Sequence, residues 1–121
     1  MGKRRVYSEG VSKRVDSQCR AFQVAVEVLG RPWNALILNV LQAGRLRFTQ
    51  LAAAARGPGD KVLSARLKEL ERCGLIDRLV EPGPPVRVTY ELTSCGRGFA
   101  DVASAIERWG RSLDALARTR G

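Results

Sequence analysis

The spacing of hydrophobic positions divides the chain into helical and extended stretches. Apolar residues recur every three or four positions in five stretches, and this spacing predicts five helices. The predicted helices begin near Gln18, Pro32, Thr49, Asp60 and Thr93, and the first four end before Gly30, Gly44, Arg56 and Gly74. The second helix is apolar around most of its circumference, which places it at the centre of the core.

Two runs between the fourth and fifth helices have the composition of strands. Leu75–Val80 and Val86–Leu92 are joined by Glu81–Pro85, a tip with three prolines and one glycine. In the second run Val88, Tyr90 and Leu92 alternate with polar residues, which predicts a half-buried strand. Helix, turn, helix and hairpin, in that order, define a winged helix-turn-helix.

We therefore predict an α+β, mostly helical fold. A flexible basic arm at 1–18 precedes one winged helix-turn-helix domain at 19–118, which carries extra N- and C-terminal dimerisation helices. The apolar stripe of the last helix extends beyond the length that so small a core needs, so we expect it to pack against a second copy of the chain. The residues predicted to form this homodimer are Phe22, Phe99, Val102, Ile106, Trp109 and Leu113.

The net charge of +9 predicts a polyanionic partner, either nucleic acid or an acidic membrane surface. No apolar run approaches the roughly 20 residues that span a bilayer, so we expect no membrane insertion. The N-terminus lacks the apolar segment of a secretory signal. The three cysteines form no CxxC pair, which favours a reducing, cytoplasmic setting.

Several kinds of catalytic site are excluded by composition. The chain has no histidine, so it cannot build a Ser-His-Asp site, a Cys-His site or a zinc site that contains histidine. It also has no glycine-rich phosphate loop. We predict a binding protein with no enzymatic activity, no cofactor and no metal.

The helix at 60–73 is predicted to contact DNA. Val62, Leu63, Leu67 and Leu70 form its apolar stripe, and no acid lies between the two lysines of the other face. A solvated charged face is the alternative interpretation. The residues predicted to contact double-stranded DNA are Lys61, Ser64, Ala65 and Lys68 at base edges or phosphates, Arg66 at a phosphate, Thr49 and Gln50 at the backbone, and Arg78 and Arg87 in the wing.

Several short motifs, taken together and in order, resemble one family. They are Leu29-Gly30-x-x-Trp33, Leu36-Ile37-Leu38, Arg47-Phe48-x-x-Leu51, Lys61-x-Leu63-Ser64-x-Arg66-Leu67-x-x-Leu70-Glu71, Gly74-Leu75 and Pro84-Pro85-x-x-x-x-Tyr90-x-Leu92-Thr93-x-x-Gly96. The sequence from about 19 to 110 is similar to HxlR-type winged helix regulators. The resemblance implies dimeric transcription factors whose helix at 60–73 enters the major groove, with the wing at the minor groove or backbone. The family usually has serine or a similar cap where this chain has Gly59.

The same resemblance implies a sensing role for Cys19. Some members of the family detect oxidants or electrophiles through a cysteine just before helix one, and Cys19 stands eleven residues ahead of Gly30. Neighbouring Arg20 and the expected helix N-terminus both favour a thiolate at Cys19. Plain packing of Cys19 is the alternative. Cys73 is predicted to be buried filler, and Cys95 is a candidate second cysteine.

These observations predict a homodimeric, sequence-specific regulator of transcription, most simply a repressor, controlled by thiol chemistry at Cys19. Three alternatives stay open: a protein-interaction module, a non-specific architectural DNA-binding module, and a regulator controlled by a small molecule held between helix one, helix two and the last helix. Trp33 has two interpretations, core packing and ligand stacking, of which core packing is preferred.

Overall fold

The computed structural model describes residues 9–120, with side chains described from Ser17 onward. The cluster of Lys3, Arg4 and Arg5 in the predicted arm lies outside these residues. The chain divides into two compact units, Met1–Pro32 and Trp33–Gly121.

The first unit contains a single described helix, α1, at Glu9–Gly30. The predicted flexible arm is therefore wrong for residues 9–18, which are helical. The reason can be seen in the sequence, because Val11 and Val15 continue the helical spacing of Phe22 and Val26 toward the N-terminus.

The second unit has the predicted winged-helix order. Its elements are α2 (Asn34–Val40), a 3-10 helix (Leu41–Ala43), β1 (Leu46–Arg47), α3 (Phe48–Ala55), α4 (Asp60–Arg72), β2 (Ile76–Glu81), β3 (Arg87–Leu92), α5 (Ser94–Arg97) and α6 (Phe99–Arg120). Helix α2 begins two residues later than predicted, because Trp33 has a left-handed backbone with φ 76° and ψ −10°.

The core forms where α2, α3, α4 and the sheet meet. Its fully buried apolar side chains are Ile37, Leu38, Leu41, Leu51, Leu63, Leu67, Leu70 and Ile76. Three of these belong to α2 and the 3-10 helix that follows it, which confirms the predicted central position of this stretch. Burying one such side chain contributes about 1.5–3 kcal/mol.

The sheet is antiparallel, with strand order β1-β3-β2. Leu46 pairs with Tyr90, and Ile76 pairs with Leu92. Val88, Thr89, Tyr90 and Glu91 are all half-buried, which confirms the predicted half-buried strand and shows partial cover on both faces of β3. Its position also brings Glu91 within 3.2 Å of the Nε atom of Arg45.

The last predicted helix is two helices. Thr93 is the N-cap of α5, as expected, and its hydroxyl oxygen accepts a hydrogen bond from the Gly96 N–H at 3.0 Å. Helix α5 ends at Arg97, and α6 starts at Phe99 after Gly98.

No single helix among the described residues is long and apolar enough to cross a bilayer. The two segments Ser17–Gly30 and Asn34–Ala43 have the required length and apolar composition only when they are counted together.

Candidate nucleic-acid interface

Helix α4 has a buried apolar face and an exposed polar face. Leu63, Leu67 and Leu70 are fully buried, which fixes the rotation of the helix on the core. As a result Lys61 and Lys68 are exposed. Between them, Ala65 is exposed and Ser64 is half-buried. The structure therefore brings together the four α4 residues that were predicted to read DNA.

One apolar residue of α4 is more exposed than predicted. Val62 was assigned to the buried stripe, but 39% of it is exposed. Val62 stands one position, about 100°, before Leu63 on the helix, so it lies at the border of the buried face. An exposed methyl group beside Lys61 is suited to contact with a thymine methyl group, so Val62 joins the candidate site.

Helix α4 begins without a side-chain cap. Gly59 is the N-cap residue, with extended backbone at φ −70° and ψ 169°, and its carbonyl oxygen accepts the first helical hydrogen bond from Leu63 at 2.9 Å. The first turn contains Asp60, whose charge favours the helix N-terminus. Because no capping side chain is hydrogen-bonded to the first backbone N–H groups of α4, a ligand can approach this end of the helix closely.

A groove of about 380 Å³ lies between α4 and the sheet. It is lined by Ser64, Leu67, Lys68, Glu71, Arg78 and Tyr90. Arg78 pairs with Tyr90 across the two strands, well before the end of the hairpin. Arg78 was predicted to serve the wing, and the structure places it on β2 of the wing, in the groove beside Ser64 and Lys68 of α4.

Arg87 is the wing residue that does lie at the hairpin end. It is exposed and pairs in register with Glu81, directly before the tip. The tip itself, Glu81–Pro85, has no basic residue. The wing therefore presents one cation, next to an acid, at its outer end.

Helix α3 was predicted to begin near Thr49, but Thr49 is not its N-cap. The helix begins at Phe48 with Arg47 as N-cap, and the side-chain oxygen of Gln50 accepts a hydrogen bond from the Arg47 backbone N–H at 2.8 Å. Thr49 and Gln50 are both exposed on the first turn. With its oxygen held in this way, Gln50 retains its amide N–H groups as donors.

Arg66 does not lie on the exposed face. Its Nη1 atom donates to Oε1 of Glu69 at 2.8 Å, and its side chain is 19% exposed. The Nε atom of Arg66 is buried with no hydrogen-bond partner. The predicted phosphate contact by Arg66 is therefore replaced by an ion pair within α4.

Two exposed arginines adjoin the site and were not included in the predicted contacts. Arg47 precedes α3, and Arg56 follows it with a left-handed backbone at φ 58°. Both belong to the stretch from Arg45 to Lys68, which has six basic residues and one acid. That charge bias was the signal that could have identified them.

The apolar stripe of α6 is exposed over most of its length. Phe99 is buried in the core, so it is not available for the predicted dimer contact. The other four predicted α6 residues, Val102, Ile106, Trp109 and Leu113, are exposed, with Trp109 at 66%. Phe22 on α1 is 71% exposed.

Two of the three cysteines have surroundings that differ from the predicted ones. Cys19 is exposed, but it lies ten residues after the start of α1 at Glu9, so the argument from a nearby helix N-terminus is wrong. Cys73 is exposed rather than buried, and Cys95 is exposed as well. The side chains that the structure describes, from Ser17 to Arg120, include no cluster suited to hold a metal ion.

A second groove, of about 480 Å³, separates α2 from α6. Its walls combine apolar and polar side chains, including Leu36, Gln42, Phe99, Ile106 and Glu107. Helices α2 and α6 are two of the three helices between which a small-molecule effector was expected to bind.

Comparisons with known proteins identify the family. The sequence profile of the HxlR-like helix-turn-helix matches residues 28–116. The HTH-type transcriptional regulator YvaP of Bacillus subtilis is 42% identical over 91 residues, which cover 75% of this chain and 84% of YvaP. The reduced form of the transcriptional regulator YodB from B. subtilis has a TM-score of 0.68 and 37% identity, covering 72% of this chain and 85% of YodB. Its quinone-bound form has a TM-score of 0.67 and 32% identity, covering 76% and 96% of the two chains. The chain belongs to the HxlR-like helix-turn-helix family and is a DNA-binding regulator of transcription.

Proposed function

We propose that this protein is a homodimeric, sequence-specific repressor that binds operator DNA with α4 in the major groove. The observation that carries the proposal is the exposed face of α4, where Lys61, Ala65 and Lys68 are displayed while three leucines hold the helix on the core. An α-helix fits the major groove, where each base pair has a distinct pattern of donors and acceptors.

The exposed residues divide into two roles. Lys61, Ser64, Ala65 and Lys68 meet base edges or the adjacent phosphates, and Val62 adds an apolar contact. Phosphate contacts come from Thr49 and Gln50 on α3, Arg78 beside α4, and Arg87 at the wing. Phosphate contacts set affinity and orientation, whereas base contacts set the sequence that is read.

The exposed stripe of α6 supports the homodimer. An exposed apolar stripe as long as that from Val102 to Leu116 is unusual on the surface of a monomer. Packing against a second copy of the chain would bury these side chains away from water. Phe22 on α1 is 71% exposed and is proposed to contact the second copy as well. Two α4 helices related by a twofold axis would read half-sites about 34–36 Å apart, or a multiple of that spacing.

DNA-binding measurements test this function. A duplex selected from a random pool should bind at least about 10³-fold more tightly than scrambled DNA. If six to ten phosphates are contacted, affinity should fall roughly 10³–10⁵-fold between about 50 and 200 mM salt. The variant Lys61→Ala/Lys68→Ala should lose the preference, whereas Arg118→Ala/Arg120→Ala, with the same change in charge on α6, should retain it. A wild-type protein without sequence preference would instead be an architectural DNA-binding or protein-interaction module.

We further propose that thiol chemistry at Cys19 releases the protein from DNA. The exposure of the Cys19 side chain and the likeness to YodB, which has been solved in reduced and quinone-bound forms, support this regulation. Addition to a benzoquinone breaks a ring C=C π bond and forms a carbon–sulfur bond; the thiol proton goes to one carbonyl oxygen and the hydrogen of the attacked carbon moves to the other, giving a hydroquinone thioether. We expect benzoquinone to weaken operator binding by the wild type and not by Cys19→Ser. Because Cys73 and Cys95 are also exposed, Cys73→Ser and Cys95→Ser are the matched controls, and release that persists in Cys19→Ser rejects this assignment.

The groove between α2 and α6 favours one alternative, a regulator controlled by a small molecule. Leu36, Phe99 and Ile106 supply apolar contact, and Gln42 and Glu107 supply polar groups. Operator release by a small molecule that persists in Cys19→Ser and is abolished by Leu36→Trp would support this alternative over thiol control.

A further inference from the structure

The indole ring of Trp33 lies against the turn between α3 and α4. This turn, Arg56–Gly59, has its closest approach to the ring at Gly57. A Cβ atom added at Gly57 would collide with the Cη2 and Cζ3 atoms of the ring and would lie 3.0 Å from Cζ2. Only glycine therefore leaves room for the ring at this point of the turn.

The backbone of Trp33 is held in a conformation that an aromatic residue rarely adopts. Its φ of 76° is left-handed, and such outliers persist only where the surroundings fix them. The Trp33 carbonyl oxygen accepts a hydrogen bond from the N–H of Ile37, a fully buried residue of α2, at 2.9 Å. Trp33 thus joins the central helix, through its backbone, to the turn, through its ring.

The turn determines how α4 is oriented relative to α3. It begins with Arg56, which has a left-handed backbone, and ends with Gly59, the N-cap of α4. A change at Gly57 in the middle of the turn is therefore transmitted directly to the end of α4 that carries Lys61. DNA recognition is sensitive to such changes, because base contacts need correct hydrogen-bond geometry.

We propose that Trp33 is a positioning residue for DNA recognition, clamping the Arg56–Gly59 turn so that α4 meets the bases at a fixed angle. This role rests on the proposed function of α4. Trp33 touches no DNA and acts through Gly57. Trp33 as a whole is 36% exposed, so the contact with the turn, rather than complete burial, accounts for its position.

A double-mutant cycle tests the clamp through operator selectivity, the ratio of operator to scrambled-DNA affinity. In the wild type, Gly57→Ala should reduce selectivity about tenfold or more, because the new methyl group displaces the ring. Gly57 does not have a positive φ, so alanine disturbs this contact without backbone strain. In a Trp33→Ala background the same substitution should change selectivity less than about twofold.

Matched variants separate positioning from folding. Gly59→Ala has open space around its Cβ, so its effect should be the same with and without Trp33. Trp33→Phe should retain most of the selectivity of the wild type, since a planar ring can still cover Gly57, whereas Trp33→Leu should lose it. These two variants leave the glycine intact and carry the test if Gly57→Ala fails to fold.

Two results would overturn the clamp. One is that the effects of Gly57→Ala and Trp33→Ala on selectivity add independently, and the other is that these variants lose equal affinity for operator and scrambled DNA. If the wild type shows no operator preference, the proposed function fails, and the contact is then judged by Trp33 fluorescence in a Trp109→Phe background. There, Gly57→Ala should shift the emission and Gly59→Ala should not, and an unchanged spectrum with Gly57→Ala rejects the clamp independently.

Discussion

The hydroxyl group of Thr93 donates a hydrogen bond to the carbonyl oxygen of Gly74 at 2.6 Å. The same hydroxyl oxygen accepts a hydrogen bond from the Gly96 N–H. Gly74, with a φ of 80°, directly follows Cys73, the C-cap of α4, and Thr93 precedes α5. One side chain therefore ties the end of the proposed recognition helix to the start of the C-terminal helices.

Replacing Thr93 with valine should remove both hydrogen bonds while keeping the shape of the side chain. The free energy of unfolding should fall by about 1–2 kcal/mol, because an N-cap is lost and the Gly74 carbonyl group loses its donor. Urea denaturation measures this change. Thr93→Ser should retain most of the stability. A valine variant as stable as the wild type, with the loss confined to Thr93→Ser, would show that the methyl group, rather than the hydroxyl, is responsible.

Gly96 is a second tightly constrained position in α5. A Cβ atom there would collide with the carbonyl oxygen of Leu75, and would lie 3.1 Å from a methyl carbon of Leu92. We expect Gly96→Ala to lower the free energy of unfolding by about 1–3 kcal/mol, since backbone must shift to make room. Ser94→Ala, at an exposed position of the same short helix, should change it far less. A Gly96→Ala protein as stable as the wild type would contradict the close approach.

Salt-dependence measurements should distinguish Arg66 from Lys61. Lys61→Ala should reduce the slope of log affinity against log salt by about 0.9, the value for one lost phosphate contact. Arg66→Ala should leave the slope unchanged, because the Arg66 guanidinium is committed to Glu69. It should instead lower stability, by about 1–2 kcal/mol. Equal slope changes in the two variants would place Arg66 at the DNA after all.

Placing a charge in the α6 stripe should dissociate the proposed dimer. Trp109→Asp puts a carboxylate where the interface excludes water, so sedimentation should show a monomer at concentrations where the wild type is a dimer. Ala115 lies on the other side of α6 by helical spacing and is exposed, so Ala115→Asp should remain dimeric. Dissociation by both variants, or by neither, would contradict the assignment of this stripe.

Local sequence patterns predicted the order of elements in the second unit and the exposed face of α4. They succeeded because the spacing of Leu63, Leu67 and Leu70 determines which side of that helix is buried. The central position of β3 was not predictable in this way, because it depends on Leu46 pairing with Tyr90 far along the chain.

The errors within the candidate site have local physical causes. Helix α3 was predicted to begin near Thr49, but Gln50 reaches back to the Arg47 amide, and α3 begins at Phe48. Glu69 stands three residues after Arg66, the spacing of a helical ion pair, and attention to this spacing would have removed Arg66 from the DNA contacts. Val62 was misplaced because a border position has no clear signal in the pattern.

The strand order β1-β3-β2 leaves β2 on the outside of the sheet, where its free edge could recruit a strand from a neighbouring molecule. Asp77, Arg78 and Glu81 distribute charge of both signs along that edge, and the prolines beyond Glu81 cannot donate backbone hydrogen bonds. This composition blocks continuous edge-to-edge polymerisation, so the sheet does not draw neighbouring molecules into fibres.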